Sequence, residues 1–392
     1  MKQILTILIT LTTLFFISCG EEDNNTDDKT CNPLCKSWET CVNEECKIAI
    51  NDLGVTTGTY PNQMLLNDNA LYLINSGDNA IQKIDLTDNT NTNPFISLPE
   101  NSSPYRMTID NNELFVSNLS TNSYSRIMLN DTNNVITTSF TDENTLKAPE
   151  GIAVSNDYIF IANSDYTTDE NWVTTYNNGF ITLINKSDNT LNKIIATTQK
   201  NPQEIFVLNN ELFVINSGTS EFDESFVGYP KSNGGIDILD LTDIDAGFTN
   251  IEIPFTDGKL SGFPSPYTLS NNNKTLFLAS GTAPELYAYD IENNTMLRNT
   301  ENPILVDTFD TPTSTMLNLT TVEQYLFVVN FNNDSLYIID TSDNYKVISK
   351  INIGEDDSTM EGPQGITYDK ANKKVYIYFG ISMKLISIDI NL

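Results

Sequence analysis

No histidine occurs among the 392 residues, and cations are scarce: 21 Lys and Arg stand against 52 Asp and Glu, for a formal charge of -31. The absent imidazole removes every Ser-His-Asp or Cys-His catalytic arrangement and every His-ligated metal site. The shortage of basic residues disfavours nucleic acid and anionic lipid headgroups, because a surface this acidic repels phosphate. Helix-forming runs are almost absent too. With 39% hydrophobic residues the chain can still bury a large core, and its many Asn and Asp point to turns between strands, hence to an all-β fold.

The N-terminus carries an address. Residues 1–18 hold one cation, Lys2, then an apolar run and a small Ser18, which is the pattern of a secretory signal and is short for a membrane span. The segment Phe16-Ile17-Ser18-Cys19-Gly20 resembles a bacterial lipobox, with Phe16 where that family usually has Leu. The resemblance implies a lipid on Cys19 and anchorage in the cell envelope, periplasmic or at the cell surface. Residues 19–30 are acidic and free of apolar runs, so they read as a solvated tether. Residues 31–46 hold Cys31, Cys35, Cys41 and Cys46. Four cysteines in so short an exported segment predict two disulfides, in one of three pairings, with a four-thiolate zinc site as the rival. The run resembles the small cysteine-rich stalk found behind the lipobox in some bacterial lipoproteins.

From residue 47 to 392 the chain repeats itself. Leu71-Tyr-Leu-Ile-Asn75 returns as Leu114–Asn118, Ile159–Asn163, Leu212–Asn216, Leu276–Ser280, Leu326–Asn330 and Val375–Phe379, seven copies about fifty residues apart. A proline precedes each copy: Pro61, Pro104, Pro149, Pro202, Pro266, Pro312 and Pro363. The motif is continuously apolar rather than alternating, so both faces of its strand need cover. A lone meander of three or four strands cannot supply that. Seven four-stranded antiparallel sheets stacked face to face in a closed ring can, and this predicts a seven-bladed β-propeller. The last repeat ends after its third strand, so the missing outer strand should come from residues 47–50 or 55–57 and close the ring.

Pro363-Gln-Gly-Ile-Thr-Tyr-Asp369 and Pro149-Glu-Gly-Ile-Ala-Val154, each followed by an apolar strand, resemble the YVTN and NHL families of bacterial propeller repeats. That resemblance implies the fold and mostly binding or scaffold roles; it brings no catalytic residues with it.

Functional candidates lie where the repeat is broken. Long insertions at 164–178 and 217–234 carry Tyr166, Trp172, Tyr176, Phe222, Phe226 and Tyr229, and a third long connection runs from Asp245 to Pro266. Long loops and exposed aromatics are recognition features. Residues beside the first-strand prolines should ring the channel mouth: Asn62, Gln63, Tyr105, Arg106, Glu150, Gln203, Glu204, Tyr267 and Gln364. Such a ring suits a peptide, a sugar or a small anion. The recurring Asn75, Asn118, Asn163, Asn216 and Asn330 read as turn residues satisfying local backbone groups. No metal site and no cofactor is expected, with structural calcium in the turns at Asp85, Asn130 and Asp340 as an alternative. The expectation is therefore a lipid-anchored recognition or scaffold module for a protein, peptide or glycan, not an enzyme. Two alternatives stand beside it. One is a metal-dependent hydrolase or lyase resembling gluconolactonase-like propellers, for which Glu150, Asn163 and Asn216 are the nearest matches. The other is a structural envelope protein without a specific ligand.

Overall fold

Each apolar motif forms the second strand of a sheet and is covered on both sides. Leu212, Phe213, Val214 and Ile215 are all at most 1% exposed, a degree of burial worth roughly 1.5–3 kcal/mol for each large side chain. The covering layers come from neighbouring sheets. Phe213 and Ile215 pack with Leu276, Leu278 and Tyr287 of the next sheet on one side, while Leu212 and Val214 pack with Phe160 and Ala162 of the preceding sheet on the other.

The computed structural model describes residues 35–36, 38–42, 45–170, 174–224, 227–307, 317–355 and 359–390. Seven antiparallel sheets, here blades 1 to 7, begin with the strands Pro61–Asn67, Pro104–Asp110, Pro149–Val154, Pro202–Leu208, Pro264–Leu269, Leu317–Val322 and Pro363–Asp369. Each first strand lies beside the first strand of the next blade, and that of blade 7 returns to that of blade 1, so the ring is closed around an axial channel. Blade 7 takes its fourth strand from the N-terminal side: Ile50–Thr56 pairs antiparallel with Lys384–Asp389, with Ile50 opposite Ile388 and Asp52 opposite Ile386. Among the described residues the only helical turns are Ser76–Asp78 and Ile244–Ala246, and no helix is long and apolar enough to cross a membrane.

One corner recurs where the chain passes from one blade to the next. The residue before the opening proline has a positive φ at Tyr60, Ser103, Ala148, Asn201, Phe263 and Gly362. Its carbonyl accepts a backbone hydrogen bond from just past the second strand, from Ser76, Leu119, Ser164, Ser217, Gly281 and Gly380 respectively. The left-handed turn costs a non-glycine residue about 1–2 kcal/mol, and this bond offsets part of that. The corner also corrects the proline register. Blade 5 opens at Pro264, behind the left-handed Phe263, and not at Pro266; blade 6 opens at Leu317, and Pro312 lies outside the described residues.

The cysteine-rich segment is docked on the ring. Its hairpin Thr40–Val42/Glu45–Lys47 is bridged by Cys35–Cys46, and Cys41 is disulfide-bonded as well. Cys19 and Cys31 lie outside the described residues, as do the predicted signal and tether. Trp38, 3% exposed, meets Tyr325 edge-on at 5.1 Å and Phe327 at 6.2 Å and joins the core shared by blades 6 and 7. Lys36 Nζ donates to the carbonyl of Ile348 at 2.8 Å. If this docking stabilises the ring, Trp38→Ala should lower the unfolding free energy by about 3 kcal/mol, read as a shift of the urea midpoint. An unchanged midpoint would mean that the segment hangs free.

Candidate functional site

First strands start, and second strands end, on the same face of the ring, so the corner residues and the loops after the second strands converge at one mouth of the channel. Arg106, the third residue of blade 2's first strand, crosses that mouth. Its Nε donates to Glu204 Oε1 of blade 4 at 2.7 Å, and its Nη2 stands 2.6 Å from the same oxygen. Its Nη1 donates to Asn62 Oδ1 of blade 1 at 3.2 Å and to the Tyr105 carbonyl at 3.1 Å. The guanidinium also lies 4.4 Å from the centre of the Tyr105 ring. Burial works against its charge, and the Glu204 carboxylate more than restores it.

Two cavities lie along the axis, with Asn62 and Arg106 in the walls of both. The inner one, about 390 Å³, is lined by Glu204, Tyr267, Asn318 and Tyr378 among others. Burial pushes the Tyr267 and Tyr378 hydroxyls up, so both remain protonated donors, and that of Tyr378 has no partner in the protein. The outer one is a cup of about 480 Å³ walled by Tyr105, Tyr176, Phe222, Phe263 and Phe331, with Asn318 and Gln364 between the rings. Glycines let the phenylalanines lie close to the backbone: a Cβ on Gly281 would stand 2.8 Å from the Phe263 ring, and one on Gly362 2.6 Å from the Phe331 ring.

The sequence candidates separate accordingly. Tyr105, Arg106, Tyr176, Phe222 and Gln364 meet in the cup; Arg106, Glu204 and Tyr267 meet in the inner cavity. The two insertions do converge, each as a hairpin, Tyr166–Thr168/Thr174–Tyr176 and Ser220–Phe222/Gly228–Pro230, and each contributes one ring to the cup. Tyr166 packs 5.8 Å from Tyr176 but faces a separate depression with Lys147 and Asp165. Tyr229 lies opposite Glu221 in its hairpin, away from the cup lining. Trp172 and Phe226 lie outside the described residues. Gln203 is engaged in packing, its Oε1 accepting from Ser217 Oγ at 2.9 Å and Ser265 Oγ at 2.7 Å. Arg106, the cation of the expected polar ring, is paired with Glu204. Phe263, Phe331, Asn318 and Tyr378 belong to the site without having been singled out by sequence; the glycines that follow the second strands, Gly281 and Gly380, were the available signal.

Glu150 is 2% exposed, and its Oε2 has no hydrogen-bond partner among the described residues. Burial pushes its carboxyl up to about 8, against the opposing pull of Arg106 and of the nearby Ser164 hydroxyl. Burial thus favours its protonated form near neutral pH. The strand-end asparagines are buried rather than exposed turn residues, and Asn163 is pinned in place. Asn163 donates to Thr182 Oγ1 and to the Ile161 carbonyl, each at 3.0 Å, and accepts from the Lys147 N–H at 2.8 Å. It is thus directed into its blade, which separates it from Glu150 as a metal ligand. In the Asp85 and Asp340 turns the carboxylates cap backbone N–H groups, those of Thr87 and Ser342, each at 2.9 Å. No cluster of three His, Cys, Asp or Glu side chains suited to a metal occurs among the described residues.

No protein-family model and no curated protein matches the sequence. Solved structures do. Virginiamycin B lyase from Staphylococcus aureus is similar at 15% identity and a TM-score of 0.61, over 88% of this chain and 99% of that one. A catalytically inactive histidine-to-alanine form of that lyase, with quinupristin, gives 14% identity and a TM-score of 0.60, over 88% of this chain and 100% of that one. Kuenenia stuttgartiensis hydrazine synthase gives 13% identity and a TM-score of 0.62, over 86% of this chain and 97% of that one. At these identities the likeness establishes the propeller fold. It also corrects the expectation that the chain is not an enzyme, because the proteins alike in fold include lyases.

The Glu150 assignment has a signed consequence. A carboxyl whose folded pKa is raised favours the protonated folded state, so the contribution of Glu150 to stability is fully present below the unfolded pKa of about 4.3, declines as pH rises, and levels off above about 8. Glu150→Gln should remove that decline and leave the protein more stable than wild type at pH 9, measured by urea unfolding across pH. Parallel pH profiles would contradict a protonated Glu150.

Proposed function

We propose that this chain is an envelope recognition protein, exported behind residues 1–18 and held by a lipid on Cys19, whose aromatic cup binds a segment of a protein, a peptide or a glycan. The observation that carries the reading is the convergence of five aromatic rings from blades 2 to 6 on one cavity of about 480 Å³, with side-chain amides between them. Peptides and glycans both present apolar faces beside hydrogen-bonding groups, which is what rings and amides in a concave site complement. The loop residues are anchored by the rigid ring behind them, so the cup is largely preformed and ligand binding orders little of it.

A second reading, acid–base chemistry on the bound ligand, is supported by Glu150, a buried carboxyl held above its ordinary range and within electrostatic reach of Arg106 and Tyr105. A raised carboxyl pKa beside a cleft is a mark of proton-transfer sites. The histidine whose replacement gives the inactive form of virginiamycin B lyase has no counterpart here, since the chain contains none. Chemistry at this site would run through carboxyl and phenol groups.

Peptide and glycan arrays probed with the protein test the first reading. Phe331→Ala and Asn318→Ala should each weaken capture of the array hits by about tenfold or more while leaving the thermal midpoint within a few degrees. Retained capture by both variants would remove the cup as the binding site.

A further inference from the structure

The charges around the cup narrow its ligand further, on the reading that the cup binds one at all. Arg106 is the cation in its wall, and the guanidinium is already held by Glu204, Asn62 and the Tyr105 carbonyl. Three lysines at this face are likewise engaged: Lys231 lies 3.8 Å from Glu221 and 3.4 Å from Asp257, Lys384 pairs with Glu361, and Lys200 donates to the Tyr176 carbonyl at 2.9 Å. An incoming anion finds no unsatisfied cation among these groups, and the protein as a whole carries a charge of -31. A cation meets the opposite situation. It is drawn by the long-range field, and in the cup it meets rings whose π-faces are electronegative. Phe263 and Phe331 line the cavity, the first close against Gly281 and the second close against Gly362, and Phe222, 69% exposed, lines it beside Gly228.

We propose that the ligand group seated in the cup is a cation, an ammonium, quaternary ammonium or guanidinium, held by cation–π contact with Phe222, Phe263 and Phe331 in a protein of strongly negative net charge. The long-range attraction sets the rate of encounter and is screened by salt; the rings set the selectivity once the cation has entered.

Choline and its uncharged isostere 3,3-dimethylbutan-1-ol, titrated separately into the whole protein and followed by ligand-observed NMR or calorimetry, test the charge with shape held constant. The expected result is choline bound about tenfold more tightly than the isostere, with affinity falling as salt is raised and again in Phe263→Leu. Equal affinities, or a preference for the isostere, overturn the proposal, and this comparison needs only the wild-type chain should the variant not fold. If neither probe binds while neutral array ligands are captured and lost in Phe331→Ala, the cation assignment fails and the cup reading stands. If neither probe nor any array ligand binds, both fall.

Discussion

Everything in this molecule depends on a strand that is apolar on both faces. A sheet with one greasy face can be completed by a single partner, but a sheet whose second strand reads Leu-Phe-Val-Ile needs two, and each partner then has the same need. The ring is the arrangement in which that demand ends. It also explains why closure is made with a strand borrowed from residues 50–56: an open blade 7 would leave both an unpaired edge and an uncovered face at one place. The axial channel follows as a by-product, since seven wedge-like sheets meeting at their first strands leave the axis unfilled.

The site inherits its geometry from that by-product. First strands bring Tyr105, Arg106, Glu150 and Glu204 to the axis at fixed spacing, and the corner with its left-handed residue repeats the same placement blade after blade. Sevenfold likeness alone would make a featureless pore. Asymmetry comes from the connections. Two hairpins and the long approach to blade 5 bring rings over one sector of the mouth, and the Arg106–Glu204 pair joins blades 2 and 4 across the mouth. A buried pair of this kind contributes little net stability, because desolvating both groups offsets their attraction. Its effect is geometric: it holds a neutral crosspiece between two cavities of different character, one amide- and phenol-lined, the other aromatic.

The seven motifs were legible in the sequence because burial on both faces leaves a continuous apolar signature that no turn interrupts; a closing strand was expected from the short last repeat, at residues 47–50 or 55–57, but it runs over Ile50–Thr56, whose mostly exposed side chains leave no such signature. The proline register was less so: Pro264 and Pro266 are separated by one residue, and only the left-handed Phe263, a backbone property, shows which one opens the blade. Arg106 and Glu204 could each be placed at the mouth from their distance to a proline, but their pairing across 98 residues depends on ring diameter and side-chain reach. Phe263 and Phe331 lie just outside strands, where no period applies, so a reading based on repeats passes over them. Tyr378 was hidden for the opposite reason. It sits inside the last apolar motif and looks like core, and it reaches the channel because Gly365 beside its ring has no Cβ to block it.

The hairpin held by Cys35–Cys46, with Trp38 seated between blades 6 and 7, stands immediately upstream of the strand that closes the ring. Seams of this kind are usually the weak point of a circular molecule under tension, since a strand pulled from its end peels one hydrogen bond at a time. Here the indole and the cross-linked loop meet any tug arriving along the N-terminal chain first, as a cleat takes the strain off a knot. A pull applied at that end would therefore reach the seam only after the docked hairpin had given way.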